Sequence, residues 1–132
     1  MTTHFKSIGV IGGGAWGTAI AQMLTREGQS VLIWALEPEV VEAINTRHEN
    51  TPFLPGVPLN PALRATTNLG DLAGFDALFA VAPAQHTRGV LTRLEGWLKP
   101  GAPVVLCSKG IELSTAKFMT EVLAEELPEA VP

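Results

Sequence analysis

The residues best able to do chemistry stand in the stretch Gly12-Gly13-Gly14-Ala15-Trp16-Gly17. An apolar run, with Ile8, Val10 and Ile11, stops at the first of these glycines. A pattern of helical spacing, Ile20, Met23 and Leu24, starts just after Trp16. A G-x-G-x-x-G turn between a strand and a helix suits a dinucleotide. Gly12 permits the tight turn, Gly14 lets the backbone approach a pyrophosphate, and Gly17 lets the helix lie close to the sheet. The helix opening there offers free N–H groups and a partial positive charge to the anion. The same pattern also occurs in flavin-binding domains and in ligand-free glycine turns, so other residues must decide between them.

The end of the next strand is the informative place, because an acid there binds ribose hydroxyls and a basic residue accommodates a 2′-phosphate. Leu36 and Glu37 stand at that point. Leu36 is neutral, which leans the choice towards NAD over NADP. Glu37 has two readings that the sequence leaves open, a ribose ligand or an exposed acid in the first turn of the helix begun by Pro38. Lys109, between Ser108 and Gly110 after a buried strand, is a candidate for holding a phosphate or carbonyl oxygen. The alternative is a solvated loop lysine. His86 opens a helix and reads as a surface histidine rather than an acid–base group. No metal site is expected.

The elements that would position these residues alternate between strand and helix. Strands are expected at 6–11, 30–36, 64–67, 76–82 and 102–108, with 64–67 the weakest. Helices are expected at 15–27, closed by Gly28, and from Pro38 through Val40, Val41 and Ile44. A third starts near Gln85 and carries Val90, Leu91, Leu94, Trp97 and Leu98 on one apolar face. A fourth is expected with Ser114 as its cap and Phe118, Val122, Leu123 and Leu127 as its stripe. The fold class is therefore α/β, a Rossmann-type, doubly wound and mainly parallel sheet with helices on both faces. Ligands bind beyond the carboxyl ends of such strands. That rim collects the glycines, Leu36 and Glu37, Pro83 to Gln85, and Ser108 to Gly110. The loop at 50–61 carries four prolines and is too long for a simple connection.

Composition sets outer limits. The chain has 132 residues, 46% hydrophobic and 17% charged, with a formal net charge of −4. One domain with a single core fits that size. The acidic balance argues against a nucleic-acid or membrane-surface partner. Cys107 is the only cysteine, so no intrachain disulfide can form, and a buried thiol is expected. No apolar run is long enough to span a bilayer, and residues 1–7 do not resemble a signal peptide. A cytoplasmic protein is expected.

The segments GGGAWGTAIAQML, INTRHENTPFLPGVPL, LRATT, AVAPAQ and SKGIE, in this order, resemble the amino-terminal domain of the NAD(P)-dependent glycerol-3-phosphate dehydrogenase family. The similarity runs from about residue 6 to 127. HENTPFLPG and SKGIE are more specific than the glycine motif. The resemblance implies hydride transfer between NAD(P)H and dihydroxyacetone phosphate, giving sn-glycerol 3-phosphate for phospholipid synthesis. It implies that Ala15 and Trp16 line the cofactor and that Leu36 and Glu37 lie by the adenosine ribose. Pro83 and Gln85 would border the nicotinamide, and Lys109 would touch both cofactor and substrate. It further implies that residues 1–132 are the cofactor domain alone. The acid–base lysine would then lie in a helical domain beyond this chain, the full-length enzyme being a homodimer. Two other readings are a different two-domain dehydrogenase, of the ketopantoate reductase or 3-hydroxyacid dehydrogenase type, and a nucleotide-sensing module without catalysis.

Overall fold

The computed structural model describes residues 5–132. Five parallel strands form the main sheet: β1 (Ser7–Ile11), β2 (Ser30–Trp34), β3 (Arg64–Thr66), β4 (Ala77–Ala80) and β5 (Val104–Leu106). Their spatial order is β3-β2-β1-β4-β5, so the winding reverses between β1 and β4. Val10 is paired with both Ile33 and Phe79, and Ile11 with both Trp34 and Ala80. Because side chains alternate across a strand, Val10 and Ile11 enter opposite layers. Val10, Val31 and Ile33 pack with Ala21 of helix α1 (Ala15–Arg26) and Val40 of helix α2 (Pro38–Glu42). Ile11, Leu78 and Val104 pack with Leu91 of helix α3 (Ala84–Thr92) and Val122 and Leu123 of helix α4 (Met119–Glu126). Each fully buried aliphatic side chain of this kind contributes about 1.5–3 kcal/mol.

The sheet and its helical cover on both faces match the sequence expectation, and the strands are one to four residues shorter than expected. Three local departures stand out. The helix from Pro38 widens into a π turn over Ala43–Arg47 and stops at His48, whose φ of 53° is left-handed. This turn carries Asn45, whose amide donates to the Ala65 carbonyl at 2.9 Å and accepts from the Ala65 N–H at 2.8 Å. The outer edge of β3 is thereby satisfied without another strand. Second, α3 ends at Thr92. Leu94 stays buried in the turn beyond it, but Trp97 is 41% exposed and does not continue a helical face.

The third departure is a correction. Ser114 does not cap a helix. Residues 111–118 form an antiparallel hairpin, β6 (Ile111–Glu112) with β7 (Lys117–Phe118), turned through Ala116 at φ 57°. A left-handed residue there ends any helix begun at Ser114. The helix starts at Met119, with Glu121 accepting the Phe118 N–H at 2.8 Å. Phe118 is 65% exposed, and Met119 takes its expected place in the core. After α4 the chain returns beside β5, where Val131 donates to Ala102 and Val104 donates to Val131.

Candidate functional site

The glycine turn leaves β1 where the sheet reverses, the place at which an open α/β sheet forms a crevice. Its entry is pinned on both sides. Gly12 N–H donates to the Trp34 carbonyl at 2.9 Å, and Val81 N–H to the Ile11 carbonyl at 2.8 Å. Gly12 has φ 128°, a value side chains rarely adopt. The other glycines are required by space. A Cβ on Gly13 would lie 2.5 Å from the Ala35 Cβ, and one on Gly17 would overlap the Gly12 carbonyl oxygen. A Cβ on Gly14 would meet no atom within 4 Å. Gly12, Gly13 and Gly17 are thus needed by the fold, while Gly14 faces open space.

That space is a cleft of about 740 Å³. Its floor is Gly12 to Gly17, including Ala15 and the largely exposed Trp16. One wall is Trp34, Leu36 and Glu37 at the end of β2, and the other comes from Val81 to Pro83 and α3. An α-helix N-terminus and an open glycine face fit a pyrophosphate, and the largely apolar walls fit flat rings.

Sequence reasoning missed several residues of this site. Phe53 lines the cleft because the proline-rich loop is anchored beneath the glycine turn. Asn50, fully buried, donates to the Gly13 carbonyl and to Thr18 Oγ1, both at 2.8 Å, and accepts from Phe53 N–H at 3.2 Å. The HENTPFLPG segment is therefore a brace for the turn. Trp34, which reads in sequence as a strand residue, shows its ring in the cleft while its Nε1 donates to Thr67 O at 3.0 Å. Arg93 sits over that ring, 5.7 Å from its centroid. The spacing of His86, Gly89, Val90 and Arg93 is the signal that could have found it, since all four line the cleft. His86 is exposed on the first turn of α3, at this wall.

Pro83, Leu36 and Glu37 lie in the cleft wall, whereas Gln85 and Lys109 do not. The Gln85 amide donates to Ile111 O and accepts from Leu113 N–H, both at 2.9 Å, so it holds the hairpin against α3. Lys109 is exposed on the same rim. Its neighbour Ser108 donates to Ala82 O and lies 3.3 Å from Thr87 Oγ1, tying the exit of β5 to the start of α3. Glu112 does not serve Lys109. It is buried and receives Arg88 through Nε at 2.9 Å and Nη2 at 3.0 Å. Arg88 and then Thr115 hold its carboxyl below the usual range. Arg88 also reaches Glu126 at 2.5 Å, which fastens the hairpin and α4 to α3. Among the described residues Lys109 has no ion-pair partner. Cys107 is partly buried, and desolvation raises its thiol pKa.

Comparison with known proteins decides among the dinucleotide folds. The family model for the NAD-dependent glycerol-3-phosphate dehydrogenase N-terminus matches residues 7–131. The chain belongs to this family. A glycerol-3-phosphate dehydrogenase [NAD(P)+] of Hyphomonas neptunium is 70% identical over the whole chain, which spans 39% of that relative. The crystal structure of glycerol-3-phosphate dehydrogenase from Coxiella burnetii has a TM-score of 0.87 at 29% identity, covering 96% of this chain and 39% of that one. A ketopantoate reductase from Ralstonia eutropha has a TM-score of 0.73 at 21% identity, with 95% and 39% covered, and shares the fold. Family membership separates this dehydrogenase domain from that relative. No helix among the described residues is long and apolar enough to cross a membrane.

Proposed function

We propose that this chain is the dinucleotide-binding domain of an NAD(P)-dependent sn-glycerol-3-phosphate dehydrogenase. The observation that carries the reading is Gly14. In a fold that needs its neighbouring glycines for packing, this one faces the cleft with nothing within 4 Å of a Cβ. When bound in this cleft, NAD(P)H would supply the hydride for the carbonyl carbon of dihydroxyacetone phosphate, and a proton would complete sn-glycerol 3-phosphate. The product would enter phospholipid synthesis.

The roles of this chain's residues are to bind and orient. The backbone at Gly14 to Gly17 and the start of α1 hold the pyrophosphate. Leu36 and Glu37 meet the adenosine ribose, with Glu37 accepting from its hydroxyls. Trp16 and Pro83 border the dinucleotide. Lys109 offers a positive charge to the substrate from the rim, and Gln85 acts by fixing the hairpin that follows that lysine. The acid–base lysine and the remaining substrate groups belong to a helical domain outside residues 1–132, in a cytoplasmic homodimer. The chain covers 38% to 46% of the length of the first four relatives it matches, which leaves room for such a domain.

Two assays test the reading. The 132-residue chain should bind NADH weakly in calorimetry yet show no reduction of dihydroxyacetone phosphate. A protein that joins it to the following coding sequence should show that reduction. Binding without turnover in the longer protein would favour a nucleotide sensor.

A further inference from the structure

We propose that Arg93 is the cofactor-specificity residue of this cleft, supplying the cation that receives an adenosine 2′-phosphate. The site would then accept NADPH as well as NADH, although Leu36 at the end of β2 is uncharged. The proposal rests on the dinucleotide reading of the cleft.

Three observations carry it. Arg93 and Glu37 are the only Arg, Lys, Asp or Glu side chains among the residues lining the cleft. They belong to opposite walls, Glu37 at the end of β2 and Arg93 at the last turn of α3. The guanidinium lies over Trp34, and Trp34 is the last residue of β2, two positions before Leu36. In a sheet of this type the adenosine ribose meets the end of the second strand, where an acid takes the 2′-hydroxyl and a nearby arginine takes a 2′-phosphate. Arg93 is that nearby arginine, delivered by the helix after β4 rather than by the strand itself.

The third observation is the state of the fork. Trp34 is 6% exposed and fixed through its indole N–H, so it offers a rigid face for the guanidinium to lie on. Arg93 itself is exposed, and among the described residues its side chain has no ion pair and no hydrogen bond. Five N–H donors are therefore free, in a geometry that matches two phosphate oxygens. Arg88, five residues earlier on α3, is fully committed to Glu112, Glu125 and Glu126 and cannot substitute. Lys109, the other basic residue on this rim, does not line the cleft.

The test is calorimetric titration of the protein with NADH and NADPH, for wild type, Arg93→Gln and Arg93→Lys. Arg93→Gln should weaken NADPH by about tenfold or more, the scale of one charge-assisted contact, and change NADH by less than about threefold. Arg93→Lys, which keeps the charge and loses the fork, should fall between the two. Added salt should narrow the NADPH difference. Equal weakening of both cofactors, an unchanged NADPH affinity, or a wild type that binds only NADH would overturn the proposal. If wild type binds neither nucleotide, the dinucleotide reading itself fails and this inference with it.

Discussion

Replacing Gly17 by alanine should damage the fold, while replacing Gly14 by valine should damage only the ligand site. The Cβ introduced by Gly17→Ala would overlap the Gly12 carbonyl oxygen and lie 3.1 Å from its carbon. Both are backbone atoms, so no flexible side chain can move aside. Overpacking of this kind costs about 3 kcal/mol, at the upper end of its usual range. The better helix propensity of alanine offsets about 1 kcal/mol of that. A net loss of about 2 kcal/mol in a domain this size lowers Tm by roughly 6–10 °C. The side chain introduced by Gly14→Val meets nothing in the protein, and Gly14 has an ordinary φ of −75°, so Tm should stay within about 2 °C of wild type. Its branched methyls fill the space proposed for the pyrophosphate, and NADH affinity should fall at least about a hundredfold, nearly 3 kcal/mol. Thermal melts followed by circular dichroism, with calorimetry for NADH, read both effects. A Gly17→Ala variant that melts with wild type, or a Gly14→Val variant that binds NADH normally, would refute this division of labour.

Three further outcomes follow from particular contacts. Asp76, held by Lys99 and the N–H groups of Lys6 and Ser7, has its pKa lowered from 3.8 to about 2. Its stabilisation is present above pH 3.8 and is lost as pH falls towards 2; Asp76→Asn should therefore lower Tm at neutral pH and flatten the acid limb of a Tm-against-pH curve. Asn50→Ala leaves the Gly13 carbonyl and the Phe53 N–H without their partner, which should cost about 1–3 kcal/mol in urea unfolding and loosen Phe53 at the cleft. In the full-length enzyme, Lys109→Met should reduce kcat/KM by about a hundredfold, roughly 3 kcal/mol, with Tm unchanged. Near-normal turnover would make Lys109 an ordinary solvated lysine.

The parallel sheet was legible because its strands are apolar runs broken by glycines, prolines and helical spacing, and all five fall where that pattern puts them. The cleft floor was legible too, since a glycine turn between a strand and a helix states its own geometry. What local pattern cannot state is which distant chain covers a strand or braces a turn. Asn50 looks like any loop asparagine until the fold brings it under Gly13, 37 residues away. Ser114 has the type of a helix cap, yet Arg88, 24 residues before Glu112, draws that acid into a hairpin and moves the helix start to Met119. Arg93 is hidden for a related reason. The apolar spacing of α3 marks the face that meets the sheet, and an adjoining stripe that shares Val90 with it meets the cleft.

Backbone NMR of the chain during NADH titration tests the central claim most directly. Binding by the glycine turn predicts saturable shifts of the Gly14, Ala15, Trp16 and Gly17 amides and of the Trp34 indole N–H. The Asp76–Lys99 end of the sheet should stay unmoved. Saturable shifts confined to that opposite end, or no saturable shift at millimolar NADH in the folded protein, would contradict the assignment of this cleft to a dinucleotide.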